Sequence, residues 1–210
     1  MEINKQINDL LNKYKDLTYI EEKNIVVGKI YLSENDYYEV SIDLSTYPKR
    51  FPNVEEIGER IPKKADRHIY TDSGTCCFTT KAKSEILLKT KIKSLESFVR
   101  LIVVPYFENN SYYEINKNYF TEEYSHHIKG ILEGYKDILA LDNNYKIVTI
   151  LYDRLTNNEA RYQSKCYCGG TKPLRNCSNG KHFKNYNKLK LIERSTLVSD
   201  LTNIVEYMKK

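Results

Sequence analysis

The chain has 210 residues, 40% of them hydrophobic and 29% charged, with a net charge of +5. That is enough for one sizeable core with a small appendage, and it argues against global disorder. The mild positive excess permits an acidic partner without demanding nucleic acid, so nucleic acid is not an expected partner. Nineteen tyrosines and no tryptophan mean that tyrosine supplies much of the aromatic packing, each ring bringing a hydroxyl that wants a partner or water. The opening Met1-Glu2-Ile3-Asn4-Lys5-Gln6 has no apolar run behind it, and no window approaches a membrane span. No membrane partner and a cytoplasmic location are therefore expected.

In chain order, Ile3, Ile7, Leu10, Leu11, Tyr14 and Leu17 recur at helical spacing and predict one amphipathic helix over 3–17. Asn24 to Leu32 and Tyr37 to Leu44 read as strands joined at Ser33-Glu34-Asn35-Asp36. In the second, Val40, Ile42 and Leu44 alternate with Glu39, Ser41 and Asp43. A third, shorter strand is expected over Val54 to Ile57. Three of the five prolines, at 48, 52 and 62, then make an ordered crossing that is neither helix nor central strand. Asp72-Ser73-Gly74 is a turn signal, and it delivers Cys76 and Cys77.

Thr80 to Thr90 is polar and basic and reads as irregular. Ser94 is an N-cap for a helix through Leu95, Phe98, Val99, Ile102 and Val103, with Ser97 at the third position and a bend or stop near Pro105. Tyr112 to Phe120 reads as a connector. Thr121-Glu122-Glu123 opens a helix through His126, His127 and Leu139, and Tyr145 to Leu155 forms another. Thr156-Asn157-Asn158-Glu159 is the candidate boundary between a domain of residues 1–156 and an extension of 157–210. That extension holds a compact Cys/Gly segment over 166–182 and a terminal helix from about Ser195. The expected class is α+β.

The five cysteines fall in two clusters, and metal ligation or catalysis suits that arrangement better than a disulfide framework. Cys166-Tyr167-Cys168-Gly169-Gly170, then Cys177, then His182, offers three thiols and an imidazole, a donor set that suits tetrahedral zinc. The ligand set is closed, so the expected ion is structural Zn2+. The alternative is a set of unrelated thiols on a basic loop.

Tyr47-Pro48, then Phe51-Pro52-Asn53-Val54, then Gly74-Thr75-Cys76-Cys77-Phe78, resembles the ubiquitin-conjugating enzymes over roughly residues 1–110. The resemblance implies their fold: an N-terminal helix, an antiparallel meander, a cysteine loop and C-terminal helices. It implies that Cys77 is a thioester nucleophile, with Cys76 in the apolar position before it. The family carries His-Pro-Asn upstream of its cysteine. Here the matching stretch is Arg67-His68-Ile69-Tyr70, so His68 takes the catalytic histidine position and the oxyanion-supporting Asn has no counterpart.

Such departures resemble bacterial relatives in anti-phage operons (CBASS) beside a cyclic-oligonucleotide synthase. The implied activity is a cysteine-dependent transferase in antiviral defence. Its partner would be the protein whose C-terminus is conjugated, either that nucleotidyltransferase or a ubiquitin-like protein. No Gly-rich nucleotide loop is visible, so activation would come from an adenylating enzyme or be dispensed with. The Cys-x-Cys-Gly segment resembles the short SEC-C motif at the tail of the bacterial secretion motor.

Against the enzyme stands a partner-binding module of the same fold, in which both thiols are buried structural residues. His126 and His127 read either as a general base for the incoming amine or as satisfied helix-surface residues.

Overall fold

The computed structural model describes residues 2–121 and 124–209. The expected helix start at Glu122 and Glu123 lies outside them. The chain divides into two compact units. One is Met1–Phe78 with Leu87–Glu123, and the other is Thr79–Ile86 with Tyr124–Lys210. The fold is α+β, as expected, with one four-stranded antiparallel sheet among the described residues.

In the first unit, helix α1 (Ile3–Lys13) leads into strands β1 (Leu17–Ile20), β2 (Ile25–Ser33), β3 (Asp36–Asp43) and β4 (Asn53–Glu56), which lie in chain order. Period-two burial makes the core face: Tyr38, Val40 and Ile42 of β3 are buried, as are Val26 and Ile30 of β2. Leu17 was expected to close the helix. Instead it opens β1, pairing with Gly28 of β2, because the helix ends at Tyr14, outside helical geometry. Four residues are too short a run to stand out against a continuing helical stripe.

Helix α3 (Leu95–Phe98), a π-helical turn (Val99–Val103) and helix α4 (Val104–Asn116) follow one another without a break. Of the expected bend or stop near Pro105, the stop gives way to this longer helix, and so does the expected connector at Tyr112. Pro105 sits in the first turn of α4, just after the wider π turn, where its missing N–H and its ring are accommodated. Phe98 and Phe107 bury against the sheet, and the Phe107 ring stacks on Tyr38 at 4.4 Å. Gln6 of α1 ties these elements together by accepting from the Tyr47 hydroxyl (2.6 Å) and the Leu95 N–H (2.9 Å).

Residues 81–90, expected to be irregular, form helix α2 (Lys81–Thr90). Thr80 caps it by accepting the Lys83 N–H at 3.3 Å, and Ala82, Glu85 and Ile86 supply a buried stripe at i, i+3 and i+4.

The second unit contains helices α5 (His127–Leu139), α6 (Asn144–Leu155), α7 (Lys181–Leu189) and α8 (Arg194–Met208). Asn143 caps α6 through the Lys146 N–H at 2.9 Å. Helix α7 was not foreseen, because its start lies inside the Cys/Gly segment. His126 is the extended residue before α5 and not part of it, so the two histidine rings, 6.5 Å apart, do not share one helix.

The core of this unit joins Leu139, Ile147 and Leu151 with Cys166, Leu174 and Cys177. Packing therefore draws the division at Tyr124 and not at 156. A buried polar network crosses this core. Tyr135 donates to Asp200 (2.8 Å), while Glu85 accepts from the Thr196 hydroxyl (2.5 Å) and the Glu193 N–H (2.7 Å). No described helix is long and apolar enough to cross a membrane.

Candidate functional site

The cysteine loop is a tight hairpin leaning on β4. Gly74, at φ 74°, occupies the left-handed region that a non-glycine side chain resists. Its N–H reaches the Tyr70 carbonyl at 2.7 Å, and the Tyr70 N–H reaches Thr75 O at 2.9 Å. Ile69 pairs with Cys76, and Thr75 with Glu55 of β4. The Cys76 N–H donates to Val54 O and the Cys77 N–H to His68 O, both at 2.7 Å.

Adjacent residues of such an arm point to opposite faces. Cys76 is 6% exposed and belongs to the first unit's core, whereas Cys77 is half-buried. Phe78 returns to the core side, edge-on to Phe98 (5.8 Å) and Tyr106 (5.1 Å). The thiol of Cys77 is thus held between two anchored neighbours. Burial pushes the Cys76 thiol up to about 12, with a hydrogen bond to Tyr106 opposing the rise.

Tyr70 interacts electrostatically with Cys77. Burial first, and then that interaction, hold the Tyr70 phenol well above its usual range. Sequence reasoning missed Tyr70, because counting outward from Asp72-Ser73-Gly74 pairs it with Cys76. The observed register is shifted by one, with Ile69 opposite Cys76, the Tyr70 N–H on Thr75 O and the Cys77 N–H on His68 O, and that shift puts Tyr70 on the Cys77 face.

His68 is buried, in the left-handed region at φ 52°, and closes a short 3-10 turn over Ala65–Arg67. Its carbonyl accepts from Cys77 and also from the Tyr106 hydroxyl (3.0 Å), and its ring lies edge-on to Tyr119 at 5.5 Å. Arg67 turns toward α4. Its guanidinium donates to Asn110 Oδ1 at 2.9 Å and lies over the Tyr113 ring at 4.4 Å. Lys81 and Lys83 belong to the second unit, where Lys83 is engaged by Tyr124 and Asp137.

The second cluster lies wholly within the second unit. Ser164 to Cys166 runs beside Lys172 to Leu174, with a bridge between Lys165 and Pro173 and a Leu174 N–H to Ser164 O bond of 2.9 Å. Gly169, at φ 87°, turns the chain between them, and the Gly170 N–H reaches Cys168 Sγ at 3.4 Å. Cys177 starts a short turn that feeds α7, and His182 sits in the first turn of that helix.

The four ligand atoms of Cys166, Cys168, Cys177 and His182 lie within 4.8 Å of one another. Cys166 Sγ is 3.2 Å from His182 Nδ1, and Cys168 Sγ is 3.6 Å from Cys177 Sγ. A tetrahedral ion with bonds of about 2.3 Å would hold its sulfurs about 3.8 Å apart, so this set could hold a metal ion with small adjustments. Burial pushes Cys166 up to about 12. Burial also works against the Cys168 thiolate, but the Gly170 N–H and the neighbouring thiols outweigh it and bring that pKa below the ordinary value. Burial, followed by Lys181, lowers His182 and favours the neutral imidazole that a metal requires.

No family model, curated protein or solved structure matches this chain. The chemistry therefore rests on the two sites themselves. One presents a half-buried thiol on a hairpin face shared with a tyrosine, and the other brings three thiols and an imidazole together.

Proposed function

We propose that the first unit has a ubiquitin-conjugating-like fold and carries an acyl group as a thioester on Cys77. The observation that supports this reading most is the hairpin. It fixes Cys76 in the core and leaves Cys77 half-buried on the hairpin face that Tyr70 shares. A thiolate is the best side-chain nucleophile available near neutral pH.

In the first step the Cys77 thiolate attacks the activated C-terminus of a partner protein. An S–C bond forms, and the activating group leaves with its electron pair. In the second step an amine attacks the thioester. A C–N bond forms, the C–S bond breaks, the thiolate is released and the amine gives up a proton. The amides of Cys76 and Cys77 are already spent on the Val54 and His68 carbonyls. The Tyr70 hydroxyl is then the donor placed to act where the family uses its Asn, stabilising the sulfur or the developing oxyanion.

The partner whose C-terminus is carried is a nucleotidyltransferase or a ubiquitin-like protein, in antiviral defence, by the resemblance of the proline and cysteine motifs. The ion held by Cys166, Cys168, Cys177 and His182 is structural zinc, because a closed Cys3His set leaves no open position for substrate.

The test compares wild type with Cys77→Ser and Cys77→Ala, each co-expressed with its genomic neighbours. The expected results are a thiol-labile adduct, a thiol-stable ester adduct and no adduct, respectively. A partner that still co-purifies without any adduct in wild type would favour the binding-module reading instead.

A further inference from the structure

The net charge of the whole chain conceals where that charge lies. The thirty residues from Arg161 to Lys190 hold eight Lys and Arg and no Asp or Glu. Elsewhere the chain has twenty-five basic residues against twenty-eight acidic ones, so the rest of the molecule is net acidic. All eight cations, Arg161, Lys165, Lys172, Arg175, Lys181, Lys184, Lys188 and Lys190, are exposed. They sit on the cysteine segment and the residues leading into it, on α7 and just past its end.

Two aromatic rings stand among these cations. Tyr162 is half exposed and meets Phe183 of α7 edge-on at 4.8 Å, with the Arg175 guanidinium 5.4 Å from the Tyr162 ring. Both rings line a groove of about 540 Å³ together with Asn157, Arg161, Asn187 and Lys190. Glu159 also lines it, but its carboxylate is already held by Arg154 (2.5 Å) and by Lys190 (3.4 Å). The groove therefore presents aromatic surface, amides that can donate and accept, and cations on its rim.

We propose that this groove and the basic face around it bind single-stranded nucleic acid. Bases stack on the Tyr162 and Phe183 rings, the Asn157 and Asn187 amides meet base edges, and Arg161, Arg175 and the α7 lysines neutralise the backbone. A duplex hides its base faces and has nothing to place on the aromatic pair, so the single strand is the form that fits. The surface is remote in role from Cys77 and does not depend on thioester chemistry.

The experiment is a fluorescence anisotropy titration of the full-length, metal-loaded protein. The probes are a labelled single-stranded 12-nucleotide uridine oligomer, a labelled RNA duplex of 12 base pairs, and polyglutamate as competitor. The single strand is expected to bind more tightly than the duplex. If about four phosphates are neutralised, affinity should fall about fiftyfold between 50 and 200 mM salt.

Tyr162→Ala should weaken binding roughly tenfold, and Tyr162→Phe should retain it. Arg161→Glu, an exposed change that leaves the rings in place, should weaken binding and flatten the salt slope. Metal content and far-UV circular dichroism should stay unchanged in each variant. Three results would overturn the proposal: no binding at 50 mM salt, equal affinity for duplex with no effect of Tyr162→Ala, or displacement by polyglutamate as readily as by unlabelled oligomer.

Discussion

Cys76 and Cys77 are adjacent and carry the same side chain, yet the hairpin gives them different chemistry. Cys76 is enclosed by core, and Cys77 faces partly outward beside Tyr70. A limited pulse of iodoacetamide at pH 8 on the metal-loaded protein should label Cys77 first and leave Cys76 unmodified until unfolding, as peptide mapping would show. Cys76 also contributes a pH dependence. Its folded value of about 12 lies above the ordinary 9.0. Its stabilising effect is therefore complete below about pH 9 and is lost as pH rises through 12, because the unfolded chain releases that proton first. Thermal melts at pH 8 and pH 10 should show a smaller alkaline loss in Cys76→Ala than in wild type. The resemblance picked out Cys77 and put Cys76 in the apolar position before it. The partner at Tyr70 needed the hairpin register, which depends on hydrogen bonds across the turn and not on composition.

Among the elements, the most readable were those with long, clean periodicity. Strands β2 and β3 lie within one residue of the stretches expected for them, and β4 is shifted by one. The Ser94 cap is a true reciprocal pair. Ser94 Oγ accepts from the Ser97 N–H at 3.1 Å, and Ser97 Oγ accepts from the Ser94 N–H at 2.9 Å, so serine fills the place usually taken by Glu. Ser94→Ala should cost about 1 kcal/mol in chemical denaturation. Strand β1, helix α2 and helix α7 were not legible. The first is four residues long, the second hides its buried stripe among lysines, and the third begins inside the Cys/Gly segment. Packing explains one further residue. At Gly28 of β2, φ is 139° and an added Cβ would lie 2.0 Å from the Asp16 carbonyl oxygen. Gly28→Ala should destabilise the first unit by about 1–3 kcal/mol or more, read as a lower unfolding midpoint.

At the scale of the whole molecule, the chain divides by packing and not by composition. The Thr156 to Glu159 stretch looks like a linker, but Cys166 and Cys177 are buried with residues of α5 and α6, so the cysteine segment is part of the second unit's core. Removal of metal by a chelator should therefore lower hydrogen-exchange protection across α5, α6 and α7, while the strands of the first unit keep theirs. A loss confined to residues 161–182 would mean that the segment is an independent appendage. The central claim is the acyl carrier at Cys77. Its most direct test is tandem mass spectrometry of the protein isolated with its partners under acidic, non-reducing conditions. The account predicts an added mass on the peptide containing Cys77, carried by that residue and not by Cys76, and released by thiol or hydroxylamine. Unmodified Cys77 under conditions where a partner is bound, or an adduct placed on another residue, would contradict it.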